Sequence, residues 1–308
     1  MGLALWIIIF VVSIAVLIKS SDYFIISAEK IGAFFGLPTF VIGVIIVAVG
    51  TSLPELVSSI VAVAEDSSQI VVGNVLGSNV ANICLVLGIA ALVGKNFIVR
   101  YDIMQVDIPF LVGSAVLLFF MIWDGSFTLP EAILCLVALG IYILYSLRIK
   151  GIDIEEEAVR PPFYIWFLLV ASPVGIFFGA KYTVQAVIVI SEALGIGSEI
   201  IALSAVALGT SLPEVFVSVS AARRGHPEIA VGNIIGSNIF NTFAVMGIPG
   251  VISRLIIPKS VLAFAAPVSI GVTLVFFVIT LDKRVNPWIG SLLLIFYVFF
   301  IGRVFSIF

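Results

Sequence analysis

Two glutamates stand inside long apolar stretches, and each closes the same six-residue word: Gly50-Thr51-Ser52-Leu53-Pro54-Glu55 recurs letter for letter as Gly209-Thr210-Ser211-Leu212-Pro213-Glu214. A carboxylate at the centre of a bilayer costs at least about 2.5–3.5 kcal/mol, so it calls for a cation or a proton. The residues before it supply further oxygens. Proline donates no backbone hydrogen bond, so Pro54 leaves the carbonyl of Gly50 without its helical partner and predicts a helix broken at mid-membrane. Exposed backbone at that depth is tolerated where it lines a polar cavity, and carbonyl oxygens suit hard cations. Thr51 and Ser52, four and three residues before Glu55, share its face of a helix and add hydroxyls. Thr210, Ser211 and Pro213 repeat this around Glu214. Two such carboxylates match one divalent ion or a pair of monovalent ones.

A second block, Gly73-Asn74-Val75-Leu76-Gly77-Ser78-Asn79 followed by Asn82, recurs as Gly232-Asn233-Ile234-Ile235-Gly236-Ser237-Asn238 followed by Asn241. Asn74, Ser78 and Asn82 are four residues apart, which draws one polar stripe along an apolar helix. That stripe is expected to face Glu55 or Glu214, with Ser78, Asn82, Ser237 and Asn241 touching ion or water. The glycines at the same interval are read as close-packing positions. Both blocks keep one offset: 214 − 55 = 159 and 237 − 78 = 159.

The elements that position these residues follow from composition. The 308 residues are 62% hydrophobic and 11% charged, with mean hydropathy +1.30, whereas soluble domains hold roughly 25% charged residues. Continuous apolar runs of about 20 residues predict helices that cross a bilayer, and they lack the alternation of outer-membrane strands. About ten spans are expected, in one transmembrane domain covering 1–308. Five spans separate equivalent points of the two copies. Five is odd, so the second copy crosses in the opposite sense, giving two inverted five-helix repeats, roughly 1–150 and 163–308. A short acidic loop, 151–162, joins them. Inverted repeats with interrupted helices at the midplane are a recurrent build of secondary transporters.

Eleven basic residues fall in loops on one side of this layout and three on the other, which places both termini outside a plasma membrane and the joining loop in the cytoplasm. Cys84 and Cys135 lie in apolar helix and imply no disulfide. Net charge is −3, with no basic patch for nucleic acid, no G-x-x-x-x-G-K-[ST] nucleotide loop and no H-E-x-x-H. An enzyme is not expected, no cofactor is called for, and transport without a nucleotide site has to be driven by an ion gradient. Asp22 and Lys181, also 159 apart, could pair or lie near interfaces. His226, the single histidine, is read as solvated in a short loop.

The paired G-T-S-L-P-E and G-N-x-x-G-S-N segments resemble the two alpha-repeats of the cation/calcium antiporter superfamily, and specifically its sodium/calcium exchanger branch. The resemblance implies Ca²⁺ held by Glu55 and Glu214 with backbone carbonyls of Thr51 and Thr210, and Na⁺ in overlapping and flanking positions. It assigns carbonyls to Ala48 and Ala207, hydroxyls to Ser52, Ser211, Ser78 and Ser237, and a flanking role to Asn82 and Asn241. It further implies alternating access, spans one and six moving against the other eight, in a protein functional as a monomer. Potassium-dependent relatives carry Asp at the position of Asn241, so potassium coupling is not expected. The T-S-L-P element favours Na⁺ over H⁺. Exchange of Ca²⁺, or of another divalent cation, for H⁺ is the alternative, and a cation channel comes after it.

Overall fold

The computed structural model describes residues 3–94, 97–98, 101–149, 160–193 and 211–304. Helix dominates because the chain offers long apolar runs with few interior breakers, and in lipid a helix satisfies its own backbone groups. Ten helical stretches occur among the described residues: α1 Leu3–Phe34, α2 Thr39–Ala64, α3 Gln69–Gly94, α4 Asp107–Met121, α5 Leu129–Arg148, α6 Phe163–Ala193, α7 Leu212–Arg223, α8 Pro227–Ile252, α9 Val261–Thr280 and α10 Pro287–Val304. Eight are long and apolar enough to cross a membrane. The exceptions are α4, at 15 residues, and α7, whose preceding residues 194–210 lie outside the described residues.

α3 and α8 form the centre. Every residue from Ser78 to Gly88 and from Ile229 to Ile239 is buried, which requires neighbours on all sides. The outer helices instead expose apolar faces, with Val11, Phe120, Val170 and Ile295 all more than half exposed. Trp123 and Trp288 sit at helix ends and are strongly exposed, where the headgroup layer takes up amphipathic rings. α1 and α6 run against each other over most of their lengths. Gly175 lies against Ser20 and Gly179 against Leu17, and Thr183 Oγ1 donates to Ser13 Oγ at 2.9 Å.

Two short antiparallel ladders join the halves: β1 Phe97–Ile98 pairs with β4 Arg284–Val285, and β2 Ser126–Phe127 pairs with β3 Leu255–Ile256. Adding 159 to Phe97 and to Ser126 gives 256 and 285. The partners Phe97–Val285 and Ser126–Ile256 therefore exchange between the halves. Beside the first ladder, Lys283 Nζ meets Asp102 Oδ1 at 3.2 Å, and the bonds from Lys283 and Gln105 hold the Asp102 carboxyl below its usual range.

The expected break at Pro54 does not occur. Ala48–Ala64 is one α-helix with Pro54 inside it. One missing donor is a local loss that a helix packed on its neighbours absorbs without parting. The irregularity lies upstream, in the π-helical stretch Ile42–Val47, where Ala48 N–H reaches back to the carbonyl of Gly43. Three more π segments interrupt helices at Asn82–Val86, Asn241–Val245 and Val261–Ala265. Such widened turns rotate the following face and recur at functional sites.

Other expectations need correction. Lys19 and Lys30, counted as loop residues, lie within α1, because that helix runs well past the length needed to cross. His226 is not simply solvated, since its Nε2 lies 2.7 Å from Glu29 Oε1 on α1. Asp22 accepts a hydrogen bond from Ser220 Oγ at 2.5 Å, and no ion pair with the exposed Lys181 occurs among the described residues. The acidic loop falls almost wholly in 150–159, outside the described residues.

Asp107 opens α4 as a buried carboxyl. Its Oδ1 accepts from Tyr142 Oη at 2.8 Å, while its Oδ2 has no partner. Tyr142→Phe deletes that donor with little change of shape and leaves the carboxyl without its hydrogen bond, which costs about 1–3 kcal/mol. A lowered melting temperature of the purified protein in detergent is expected, and an unchanged one would contradict the assignment.

Candidate cation site

α2 and α8 approach until their backbones touch, and glycine makes this possible. A Cβ on Gly43 would meet the carbonyl oxygen of Ile229 at 2.5 Å, and one on Gly232 would run into the carbonyl of Phe40. On Gly236 it would lie 2.6 Å from Val44 O and 2.7 Å from Ala48 Cβ. The close-packing reading holds for this half. For Gly73 and Gly77 no described atom comes within 4 Å, and the residues equivalent to Gly43 and Val44, 202 and 203, lie outside the described residues.

This contact brings the two acidic motifs together. Ala48, Thr51, Ser52, Glu55 and Ser59 are the buried face of α2, spaced as one side of a helix, whereas Leu53 and Val57 point outward. Thr51 Oγ1 donates within 3.1 Å of Asn233 Oδ1 and 3.3 Å of the Ala48 carbonyl. Glu214, at the start of α7, lies within electrostatic reach of Glu55 and near the Thr51 and Ser52 hydroxyls. Those hydroxyls make no well-formed bond to it, and all four carboxylate oxygens of Glu55 and Glu214 are buried without a hydrogen-bond partner among the described residues.

The second block flanks the first. Asn74 Nδ2 donates to Ser59 Oγ at 3.1 Å and to the Glu55 carbonyl at 3.2 Å. In the other half Asn233 Nδ2 donates to Ser218 Oγ at 2.9 Å, the same pair moved by 159 residues. Asn74 and Asn233 thus face the helices that carry the acidic motifs. Ser78, Asn82, Ser211, Ser237 and Asn241 are all buried. Asn82 Nδ2 donates to Asn238 Oδ1 at 3.1 Å, and Asn241 Nδ2 donates to Asn79 Oδ1 at 3.3 Å. The Oδ1 atoms of Asn82 and Asn241, like Ser52 Oγ, have no partner among the described residues.

Of the twelve candidate residues, ten are described and all ten are buried: Ala48, Thr51, Ser52, Glu55, Ser78, Asn82, Ser211, Glu214, Ser237 and Asn241. Ala207 and Thr210 lie outside the described residues. The spacing argument passed over Asn79 and Asn238, although both belong to the repeated block, and over Ser59, Ser218 and Thr242, which carry no repeated word. Among the described residues no group of three or more His, Cys, Asp or Glu is gathered as a resident metal cluster. The acceptors here are two carboxylates and neutral oxygens.

The sequence signature of the sodium/calcium exchanger protein family matches residues 5–148 and again 164–306. The chain belongs to that family. Its relatives include the sodium/calcium exchanger MaX1 of Methanosarcina acetivorans, 35% identical over 97% of this chain and 98% of the relative. The inner membrane protein YrbG of Escherichia coli is 31% identical over 79% of this chain and 78% of its own length. Among solved structures, that of the sodium-calcium exchanger NCX_Mj soaked with Na⁺ and Ca²⁺ superposes with TM-score 0.84 at 28% identity, covering 97% of this chain and 98% of that one. The family is one of antiporters, which accords with a membrane-embedded acidic site and no nucleotide motif.

Proposed function

We propose that this exchanger moves Ca²⁺ against Na⁺ across a membrane, binding the two ions by turns at the site between Glu55 and Glu214. The observation that carries the reading is the set of buried oxygens without partners. Two each come from Glu55 and Glu214, and one each from Ser52, Asn82 and Asn241, seven in all. Ca²⁺ takes about 6–8 oxygen ligands, and two carboxylates neutralise its charge. Thr51, Ser78, Ser211 and Ser237, with the carbonyls of Ala48 and of Ala207 and Thr210 beyond the described residues, complete the sites Na⁺ would occupy.

Alternating access follows from an inverted architecture, and the exchanged partners at the 159-residue offset support it: Asn74–Ser59 with Asn233–Ser218, and Asn82–Asn238 with Asn241–Asn79. The α1–α6 pair is the element suited to move, because those helices pack chiefly on each other and expose apolar faces. Both termini lie outside on this reading. The protein works as a monomer with lipid around it, and it needs no cofactor, nucleotide or nucleic acid. Asn241, neutral where potassium-coupled relatives carry Asp, leaves K⁺ without a role.

The neighbours named in the comparisons favour Na⁺ as the driving ion. The second reading is H⁺ exchange, because unpaired buried carboxylates also take up protons when the metal leaves. Radiolabelled Ca²⁺ uptake into proteoliposomes under outward Na⁺, K⁺ or H⁺ gradients decides between them. Uptake is expected with the Na⁺ gradient only. Uptake with the H⁺ gradient and none with Na⁺ would overturn the assignment.

A further inference from the structure

The crossed amides beside the acidic pair contain two residues to which no role has been given. Asn79 and Asn238 are buried, and each accepts the side-chain N–H of an asparagine from the opposite half. An amide has one donor end and one acceptor end. Once Nδ2 of Asn82 is committed to Asn238 and Nδ2 of Asn241 to Asn79, the other end of each amide is fixed as oxygen. Those two oxygens have no partner among the described residues, and the segment that Asn241 opens packs on the Glu55 helix while the one that Asn82 opens packs on the Glu214 helix.

We propose that Asn79 and Asn238 are positioning residues that set the orientation of the Asn241 and Asn82 amides, so that a cation meets carbonyl oxygen and not N–H. This inference rests on the cation-site reading above. A cation is attracted to the amide oxygen and repelled by the amide hydrogens, so a free rotor would present the wrong end for part of the time. The two halves enforce the orientation differently. Asn79 is itself held, since its Nδ2 donates to Thr242 Oγ1 at 3.1 Å. The residue equivalent to Thr242 is Ile83 (242 − 159 = 83), which has no hydroxyl, and Asn238 Nδ2 has no partner among the described residues. Asn238 therefore does one thing only: it receives Asn82.

That makes Asn238→Leu the clean substitution, because it removes one acceptor at similar volume and strands only the Asn82 amide nitrogen whose orientation is under test. Asn82→Asp supplies the matched background. A carboxylate offers oxygen whichever way it turns, so it has no need of Asn238. Radiolabelled Ca²⁺ binding to the purified full-length protein in detergent gives the readout, with Glu55→Gln alongside. In the Asn82 background Asn238→Leu is expected to raise the Kd for Ca²⁺ roughly tenfold or more, as loss of outer-shell partners does at metal sites. In the Asn82→Asp background it should shift Kd by less than about twofold, the coupling that a double-mutant cycle measures. Equal weakening in both backgrounds, including collapse of the protein in both, would show a packing role and overturn the proposal. So would an unchanged Kd for Asn238→Leu. The Glu55→Gln arm separates the two ideas: Ca²⁺ binding by that variant as tight as wild type sinks the cation site itself. Loss of binding there beside an unchanged Asn238→Leu sinks only the positioning role.

Discussion

Glu55→Gln is expected to abolish Ca²⁺ uptake, and Glu214→Gln to do the same, with both variants still folded. The substitution keeps volume nearly constant and removes one of two negative charges from a buried site. Against a divalent ion at contact, the loss of one unit charge is worth on the order of several kcal/mol even at an effective dielectric of about 20. Each 1.4 kcal/mol is tenfold in affinity, so binding weakens by about a hundredfold or more. Folding goes the other way. Neither carboxylate has a hydrogen-bond partner, and an unpaired buried charge opposes the folded state, so the melting temperature of the ion-free protein should hold or rise. Uptake by either variant at wild-type rate would remove its glutamate from the site.

The second large effect comes from Gly236→Val. A Cβ there would lie 2.6 Å from Val44 O, 2.7 Å from Ala48 Cβ and 2.8 Å from Val44 Cα. Two of those atoms are backbone and cannot turn aside, so α2 and α8 have to separate. Overpacking of this kind costs about 1–3 kcal/mol. Because Ala48 begins the face that carries Thr51 and Glu55, the shift also draws that face away from Asn233 and Glu214. Melting in detergent should fall and Ca²⁺ uptake should drop at least about tenfold, one Ångström of misplacement being enough at a preorganised site. Gly140→Ala on α5, where no described atom comes within 4 Å of the added methyl, should leave both unchanged. Wild-type behaviour of Gly236→Val would mean that the helices do not need this contact.

Much of the site could be read from the chain because two constraints are local and repeated. An acidic residue in an apolar run is conspicuous, and a second copy at a fixed offset names its partner. Fourfold spacing then put Asn74, Ser78 and Asn82 on one face, and Asn74 does bond to Ser59 and to the Glu55 carbonyl. What stayed hidden depends on tertiary contact. The π turns have no residue code: Ile42–Val47 is plain apolar helix by composition, yet the widened turn takes the irregularity that Pro54 was expected to produce. Asn79 lies one residue off the stripe, and only the fold brings it Asn241 from the opposite half as a donor. His226 could be read only as a loop histidine, since Glu29 lies almost two hundred residues earlier and meets it only in the fold. Lys19 and Lys30 were assigned to a loop because α1 is longer than a bilayer demands.

The central claim is that one site serves both ions and cannot pass either alone. Efflux of trapped radiolabelled Ca²⁺ from proteoliposomes tests it most directly, with the bath holding Na⁺, unlabelled Ca²⁺ or neither. The exchange account predicts rapid efflux into Na⁺ and into Ca²⁺, and retention of the label in a bath that contains neither. Equal efflux into all three would contradict it and make the protein a channel.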